Sequence, residues 1–254
     1  MTQAEPIIFI HGLFAILAQP QAPHTPSVSQ FLSPNPVSIP DLPGYGTNRH
    51  YPPDDISVSA AADFISAHMH ALGYDRAHLV GHSIGGAVAV VVASRYPKAV
   101  ASIVSVEGNF TLKDAFWSQQ LARMDRSEVD ALLASYRADP RAWLADAGVD
   151  ATAEQVELAV HSLEAQPPST LLAMARSVVE TTSDASYLQE IATILDRSIP
   201  FHLVAGSRSR DGWDVPEWVL QRATSVTIQP GAGHMMMLED QHCFLSIIRQ
   251  LIPW

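Results

Sequence analysis

Only one cysteine, Cys243, occurs in 254 residues, so no disulfide can form within the chain, and this usage fits a reducing compartment. Basic residues are scarce as well: 15 Lys and Arg stand against 26 Asp and Glu, for a formal net charge of −11. Nucleic acids and anionic membranes reward clustered Lys and Arg, and no cluster occurs, so neither is expected as a partner. Highly anionic substrates such as coenzyme A thioesters are disfavoured on the same ground. Long apolar runs are missing too. The stretch "IIFIHGLFAILA" (7–18) is too short to span a bilayer. It also lacks the flanks of a signal peptide, since no Lys or Arg precedes Arg49, Glu5 comes before it and His11-Gly12 interrupts it. Internal repeats and metal-ligand spacings are absent. The expectation is a cytoplasmic protein, monomer or homodimer, acting on a small molecule without metal or cofactor.

Apolar residues make up 47% of the chain, enough for one large core. β-branched runs recur at 6–11, 36–41, 77–82, 101–107, 200–206 and 225–230, and helical segments at 57–72, 84–96, 215–223 and 238–251 separate most of them. Continuous apolar strands alternating with helices predict an α/β fold, a mostly parallel sheet covered on both faces. The proline-rich connection from Gln19 to Pro43 carries "SVSQFL" and is read as ordered, with a short helix. Residues 111–197 hold almost no strand signal and several amphipathic stretches, among them "LKDAFWSQQLARM" and "STLLAMARSVVETT". The reading is a core of 1–108 and 198–254 with a helical cap, 109–197, inserted at the carboxyl edge of the sheet, where open α/β sheets bind ligands.

"LVGHSIGG" (79–86) runs from strand through a sharp turn into helix. A serine held between a strand and a helix is forced into a strained backbone, and the flanking Gly81 and Gly85 remove Cβ atoms that would collide there. Ser83 would then project at the ligand edge, beside an amide at a helix N-terminus suited to a developing oxyanion. A glycine turn with Ser83 as an incidental cap is the plainer alternative. A phosphate loop is excluded by the missing lysine and the wrong spacing.

"HSIGG" resembles the nucleophile elbow of the α/β-hydrolases. "FIHGLF" is similar to their oxyanion-hole loop, "DLPGYGTN" (41–48) to their next strand-to-loop segment and "PGAGHMMMLED" (230–240) to their catalytic-histidine loop, in the expected order. The resemblance implies an α/β-hydrolase core that lacks the first two strands, with the amides of Leu13 and Ile84 forming the oxyanion hole. A serine hydroxyl needs a proton acceptor. Of eleven histidines, His234 follows a strand and turn on the same sheet edge, while the resemblance makes His11 and His82 supporting residues. His68 and His70 sit two apart on a helix and diverge, so they make a poor metal pair; His24, His50, His161 and His242 read as surface or loop.

A carboxylate must orient the base. The family's commonest position for it, three residues past the strand-ending Gly206, holds Ser209. Three acids compete. Glu107 ends the buried run "ASIVSVE", where some relatives place theirs; Asp211 precedes a glycine and suits a turn; Asp214 reads as the N-cap of a capping box with Pro216 in the first turn. Pocket-lining candidates are Leu13, Phe14, Ile84, Phe110, Phe116, Trp117 and Met235, all of which could equally be packing residues. The expected activity is a serine hydrolase cleaving a carboxylic ester or lactone with an apolar group through an acyl-enzyme. A carbon–carbon bond hydrolase, a thioesterase and a non-catalytic hydrolase-like receptor are the alternatives. Aspartate-nucleophile dehalogenases and epoxide hydrolases fit less well, because residue 83 is serine.

Overall fold

The computed structural model describes residues 4–15 and 27–253. Among these residues six strands form one sheet: β1 (Ile7–Ile10), β2 (Val37–Ser38), β3 (Ala77–His82), β4 (Val100–Val106), β5 (Phe201–Gly206) and β6 (Ser225–Gln229). Their order is β2-β1-β3-β4-β5-β6 and every pairing is parallel. Strands β1, β3, β4 and β5 are buried at every position, as expected of unbroken apolar runs with helices on both faces. The chain passes from β1 outward to β2 and then returns to pair β3 on the other side of β1. The order therefore reverses between β1 and β3, and the crevice outside their carboxyl ends is the place such a sheet offers to a ligand.

Among the described residues, α1 (Val28–Phe31) lies before β2 and α2 (Val58–Ala71) before β3. The Gln19–Pro43 connection thus does carry a short helix over "VSQF"; its residues 19–26 lie outside the described part. Helix α3 (Ile84–Arg95) is apolar on all sides and buried through its first ten residues. Such a helix belongs in the interior. It packs between the sheet and α2.

Between β4 and β5 come six helices: α4 (Phe116–Ala122), α5 (Arg126–Ala138), α6 (Pro140–Asp146), α7 (Ala153–Glu164), α8 (Pro168–Ser183) and α9 (Ala185–Asp196). Helices α5 and α7 begin with reciprocal capping boxes, Asp125 with Glu128 and Thr152 with Gln155. Helices α4 to α8 pack chiefly on one another, whereas α9 packs on α3 of the core. The chain closes with α10 (Glu217–Arg222), α11 (Met236–Glu239) and α12 (Gln241–Leu251).

The capping box expected at Asp214 does not form. Helix α10 starts at Glu217 with Pro216 as its N-cap and no side-chain cap. The Asp214 carboxylate instead accepts Thr111 Oγ1 at 2.6 Å and faces Lys113 Nζ at 3.5 Å. The stretch 238–251 is likewise two helices, broken at Asp240, whose side chain caps α12 through the Cys243 amide. Among the described residues no helix is long and apolar enough to cross a membrane.

Candidate active site

Ser83 follows β3 with φ 54° and ψ −121°, in the left-handed half of backbone space that a non-glycine residue enters only under constraint. The constraint is visible on both sides. A Cβ on Gly81 would stand 2.3 Å from the Gly85 carbonyl oxygen, and one on Gly85 would stand 2.2 Å from that of Ile10. Glycine at 81 and 85 therefore lets α3 press against the ends of β3 and β1. The Ser83 amide donates to Val106 O at 3.0 Å, tying the elbow to β4. Ile84 opens α3, so its amide is one of the N-terminal donors without an intrahelical partner.

Ser83 lines a narrow recess together with Gly12, Leu13, Phe14, His82, Trp117, His234 and Met235. The recess thus brings together residues following β1, β3 and β6 with one from α4. Its aromatic wall is continuous: Phe14 meets Trp117, Trp143 and Tyr136 edge-on at centroid distances of 5.7, 5.3 and 6.1 Å. Trp117 in turn stands edge-on to the His234 ring at 5.9 Å.

His234 Nδ1 lies 2.7 Å from Glu107 Oε2. Glu107 caps β4 with φ 42° and is 4% exposed. Burial alone would raise its pKa. The hydrogen bond and charge of His234, the Ser209 hydroxyl and the Gly206 amide outweigh that and hold it below the ordinary value. An ionised carboxylate only accepts, so His234 Nδ1 is the donor in this bond, and in the neutral ring Nε2 is then an acceptor. Trp213 Nε1 donates to Gly108 O at 2.7 Å and Tyr187 Oη to Asn109 O at 2.8 Å, fixing the turn that presents Glu107.

The other acids stand elsewhere. Asp211 is 99% exposed, with Arg210 as its ion-pair partner at 3.7 Å, and Asp214 is held by Thr111 and Lys113. Phe110 lines neither this recess nor the larger cavity beside it; its ring is 1% exposed and packs on Phe201 and Trp213 at 6.3 and 5.8 Å. Phe116, 55% exposed, and Trp117 line that neighbouring cavity of about 510 Å³, along with Glu107, Arg208, Ser209 and His234. Met235 borders the recess, while Met236 and Met237 are buried in the core.

Two further histidines brace the loops. His11 Nδ1 donates to Gly12 O at 2.8 Å and its Nε2 accepts the Leu42 amide at 3.2 Å, a pattern only the neutral ring satisfies. His82 Nε2 donates to His234 O at 3.0 Å, leaving its buried Nδ1 without a partner. Burial lowers the pKa of His11, and burial with the neighbouring His234 lowers that of His82 strongly. Burial also lowers those of His68, His78 and His202. Each of these groups has a folded pKa below its unfolded value, so the stability it contributes is complete above about pH 6.5 and is lost as pH falls from there towards the folded pKa. Asp114 acts oppositely: burial raises its carboxyl to about 7, which favours the folded state as pH drops from 7 to 4. Five histidines thus lose stability on acidification against one carboxyl that gains it. Thermal melts are expected to show a lower Tm at pH 5.5 than at pH 7.5, and a flat or rising Tm on acidification would contradict this balance.

Several contributors carry no motif. Arg208 donates to Gly231 O at 2.9 Å and Gly148 O at 2.7 Å and pairs with Glu239. Glu239 accepts the Gly233 amide at 2.8 Å. The histidine loop is thereby tied to the loop after α6. Among the described residues no group of three or more His, Cys, Asp or Glu is placed to hold a metal ion.

A model of the alpha/beta hydrolase fold matches residues 5–160. An uncharacterised protein of Mycobacterium tuberculosis is 25% identical over 97% of this chain and 74% of its own length. Among solved structures, a thermophilic esterase from Thermogutta terrifontis aligns with a TM-score of 0.68 at 18% identity, covering 99% of this chain and 92% of that one. Est816, described as an N-acyl homoserine lactone degrading enzyme, aligns at 0.66 and 19% identity over 97% and 93%. At these identities the structural matches speak for the shared architecture. With the family model spanning more than half of its residues, the chain belongs to the alpha/beta hydrolase fold family.

Proposed function

We propose that the protein is a serine hydrolase that cleaves carboxylic esters or lactones through an acyl-enzyme. The observation that carries the proposal is the Glu107–His234 contact at 2.7 Å, made beside the recess that His234 shares with Ser83. With Nδ1 protonated towards Glu107, His234 Nε2 is the acceptor for the Ser83 proton as Oγ attacks the carbonyl carbon. The carbonyl oxygen takes the negative charge and is met by the amides of Leu13 and Ile84. The tetrahedral species collapses as the imidazolium returns its proton to the leaving alkoxide, giving the alcohol and an acyl-serine. Water then repeats the cycle and frees the acid; in a lactone, acid and alcohol leave as one molecule.

The apolar wall of Leu13, Phe14, Trp117 and Met235 favours an apolar group next to the reacting carbonyl. The esterase and the lactone-degrading enzyme among the structural relatives fit the same class. Ser209, standing where the family most often carries its acid, is the ground for a non-catalytic receptor; the Glu107 carboxylate beside His234 weighs against it.

A panel of p-nitrophenyl esters, γ- and δ-lactones, thioesters and vinylogous diketones distinguishes the readings. Turnover is expected on esters or lactones. Turnover confined to diketones would move the chain to the carbon–carbon bond hydrolases, and ligand binding without turnover on any member would overturn the proposal.

A further inference from the structure

Glu107 has two carboxylate oxygens, and only Oε2 meets His234. The other, Oε1, is occupied from the neighbouring strand: it accepts the Gly206 amide at 2.8 Å and the Ser209 hydroxyl at 2.5 Å. The Ser209 hydroxyl has one other acceptor in reach, Gly206 O, at the long distance of 3.5 Å. Because a carboxylate oxygen cannot donate, the short contact fixes the hydroxyl as the donor. Short hydrogen bonds to an ionised acceptor are the strong ones.

The surroundings leave little freedom for another arrangement. Glu107 N donates to Val204 O at 2.9 Å, so the tip of β4 is registered against β5. A Cβ on Gly206 would stand 2.5 Å from Ala232 O and 2.6 Å from Gly233 O, which packs the end of β5 directly on the histidine loop. Tip, strand end and loop form one packed unit. Within it, rotation of the Glu107 carboxylate about its last bond would carry Oε2 away from His234. Two donors on Oε1 oppose that rotation.

Resting on the serine-hydrolase reading, we infer that Ser209 is a positioning residue: its hydroxyl clamps the second oxygen of Glu107 so that the first stays aimed at His234 and the carboxylate stays ionised. The serine that occupies the position where the family most often carries its acid thus serves the acid supplied by β4. Ser209 acts through Glu107 and does not touch the reacting atoms.

The test uses Ser209→Ala and Ser209→Thr in the full chain. For Ser209→Ala, loss of a hydrogen bond to a charged group predicts a fall in kcat of roughly 10- to 100-fold on the best ester, with KM within about twofold. The acid limb of the pH–rate profile should move to higher pH, because the ionised carboxylate has lost a donor and the Glu107–His234 pair holds its proton more firmly. Ser209→Thr keeps a hydroxyl and should restore both kcat and the acid limb. A packing role alone would shift the Tm without moving that limb. Wild-type kcat and acid limb in Ser209→Ala, or a folded Ser209→Thr as impaired as the alanine variant, would overturn the inference.

Titration of the His234 ring proton by NMR needs no substrate, so it separates this inference from the proposed activity. The apparent pKa should rise from wild type to Ser209→Ala even if no ester is turned over. Superimposable curves would sink the clamp and leave the hydrolase reading standing. Where Ser209→Ala does not fold, Ser209→Gly, in which the hydroxyl is equally missing, is titrated in its place and judged on the same criteria.

Discussion

Replacing Ser83 with alanine is expected to lower kcat on the best ester by about 10⁶-fold and to abolish labelling by a fluorophosphonate, while the fold is kept. The size follows from the role: a nucleophile cannot be replaced by its neighbours, and loss of one such residue costs nearly as much as loss of the whole unit. The folding half of the expectation comes from the backbone. At φ 54° a serine and an alanine carry the same Cβ penalty, so the substitution neither adds nor relieves strain. Glycine carries no such penalty. Ser83→Gly should therefore be as inactive as Ser83→Ala yet melt at a higher temperature, since strain at such a position is worth on the order of 1–3 kcal/mol. The two variants together separate chemistry from architecture. A kcat within tenfold of wild type in either would remove Ser83 from the reaction, and a Ser83→Gly protein no more stable than Ser83→Ala would mean that the elbow is not strained.

Much of this site was legible from residue order because its parts are local. Gly81, Ser83 and Gly85 lie within five residues; a Cβ on Gly81 would collide with the Gly85 backbone in the same stretch, and one on Gly85 with the Ile10 carbonyl at the end of β1. The parallel sheet was readable because strands buried on both faces have no polar alternation to obscure them. Helices α6 and α9 are harder to mark off within the helical stretch 109–197. Helix α6, Pro140–Asp146, spans two turns, too short for a period to show, and α9 follows Ser183 and Asp184 without a looser break. Periodicity reports that a helix has an apolar face but not what covers it; α9, within the stretch 109–197 read as the cap, packs on α3. The same limit applies to Phe110, since a core and a pocket use the same side chains. Asp214 satisfied the local rule for a cap, yet Thr111, 103 residues away, takes its carboxylate. The contact between Ser209 and Glu107 spans 102 residues and leaves no trace in the spacing of either segment.

Glu107→Gln is expected to cost about 10⁴-fold in kcat with little loss of stability, the effect known when a triad carboxylate becomes an amide. The geometry gives a reason specific to this protein. The Gly206 amide and the Ser209 hydroxyl both donate to the Oε1 position, so a glutamine must place its carbonyl oxygen there. Its NH₂ group then faces His234 Nδ1 and donates to it. The imidazole is forced to carry its proton on Nε2, which can no longer accept one from Ser83. The hydrogen-bond clamp that serves catalysis in the wild type would thus hold the variant in the wrong tautomer. Asp211→Asn and Asp214→Asn, by contrast, should leave kcat within about twofold, because one carboxylate is in solvent and the other is engaged by Thr111 and Lys113. Steady-state kinetics on the three variants decide the matter, with the His234 tautomer read from ¹⁵N chemical shifts in the glutamine variant. Loss of turnover in Asp211→Asn alongside a mild Glu107→Gln would transfer the orienting role to the loop after β5, and an Nδ1-protonated His234 in the glutamine variant would refute the tautomer argument even if activity fell.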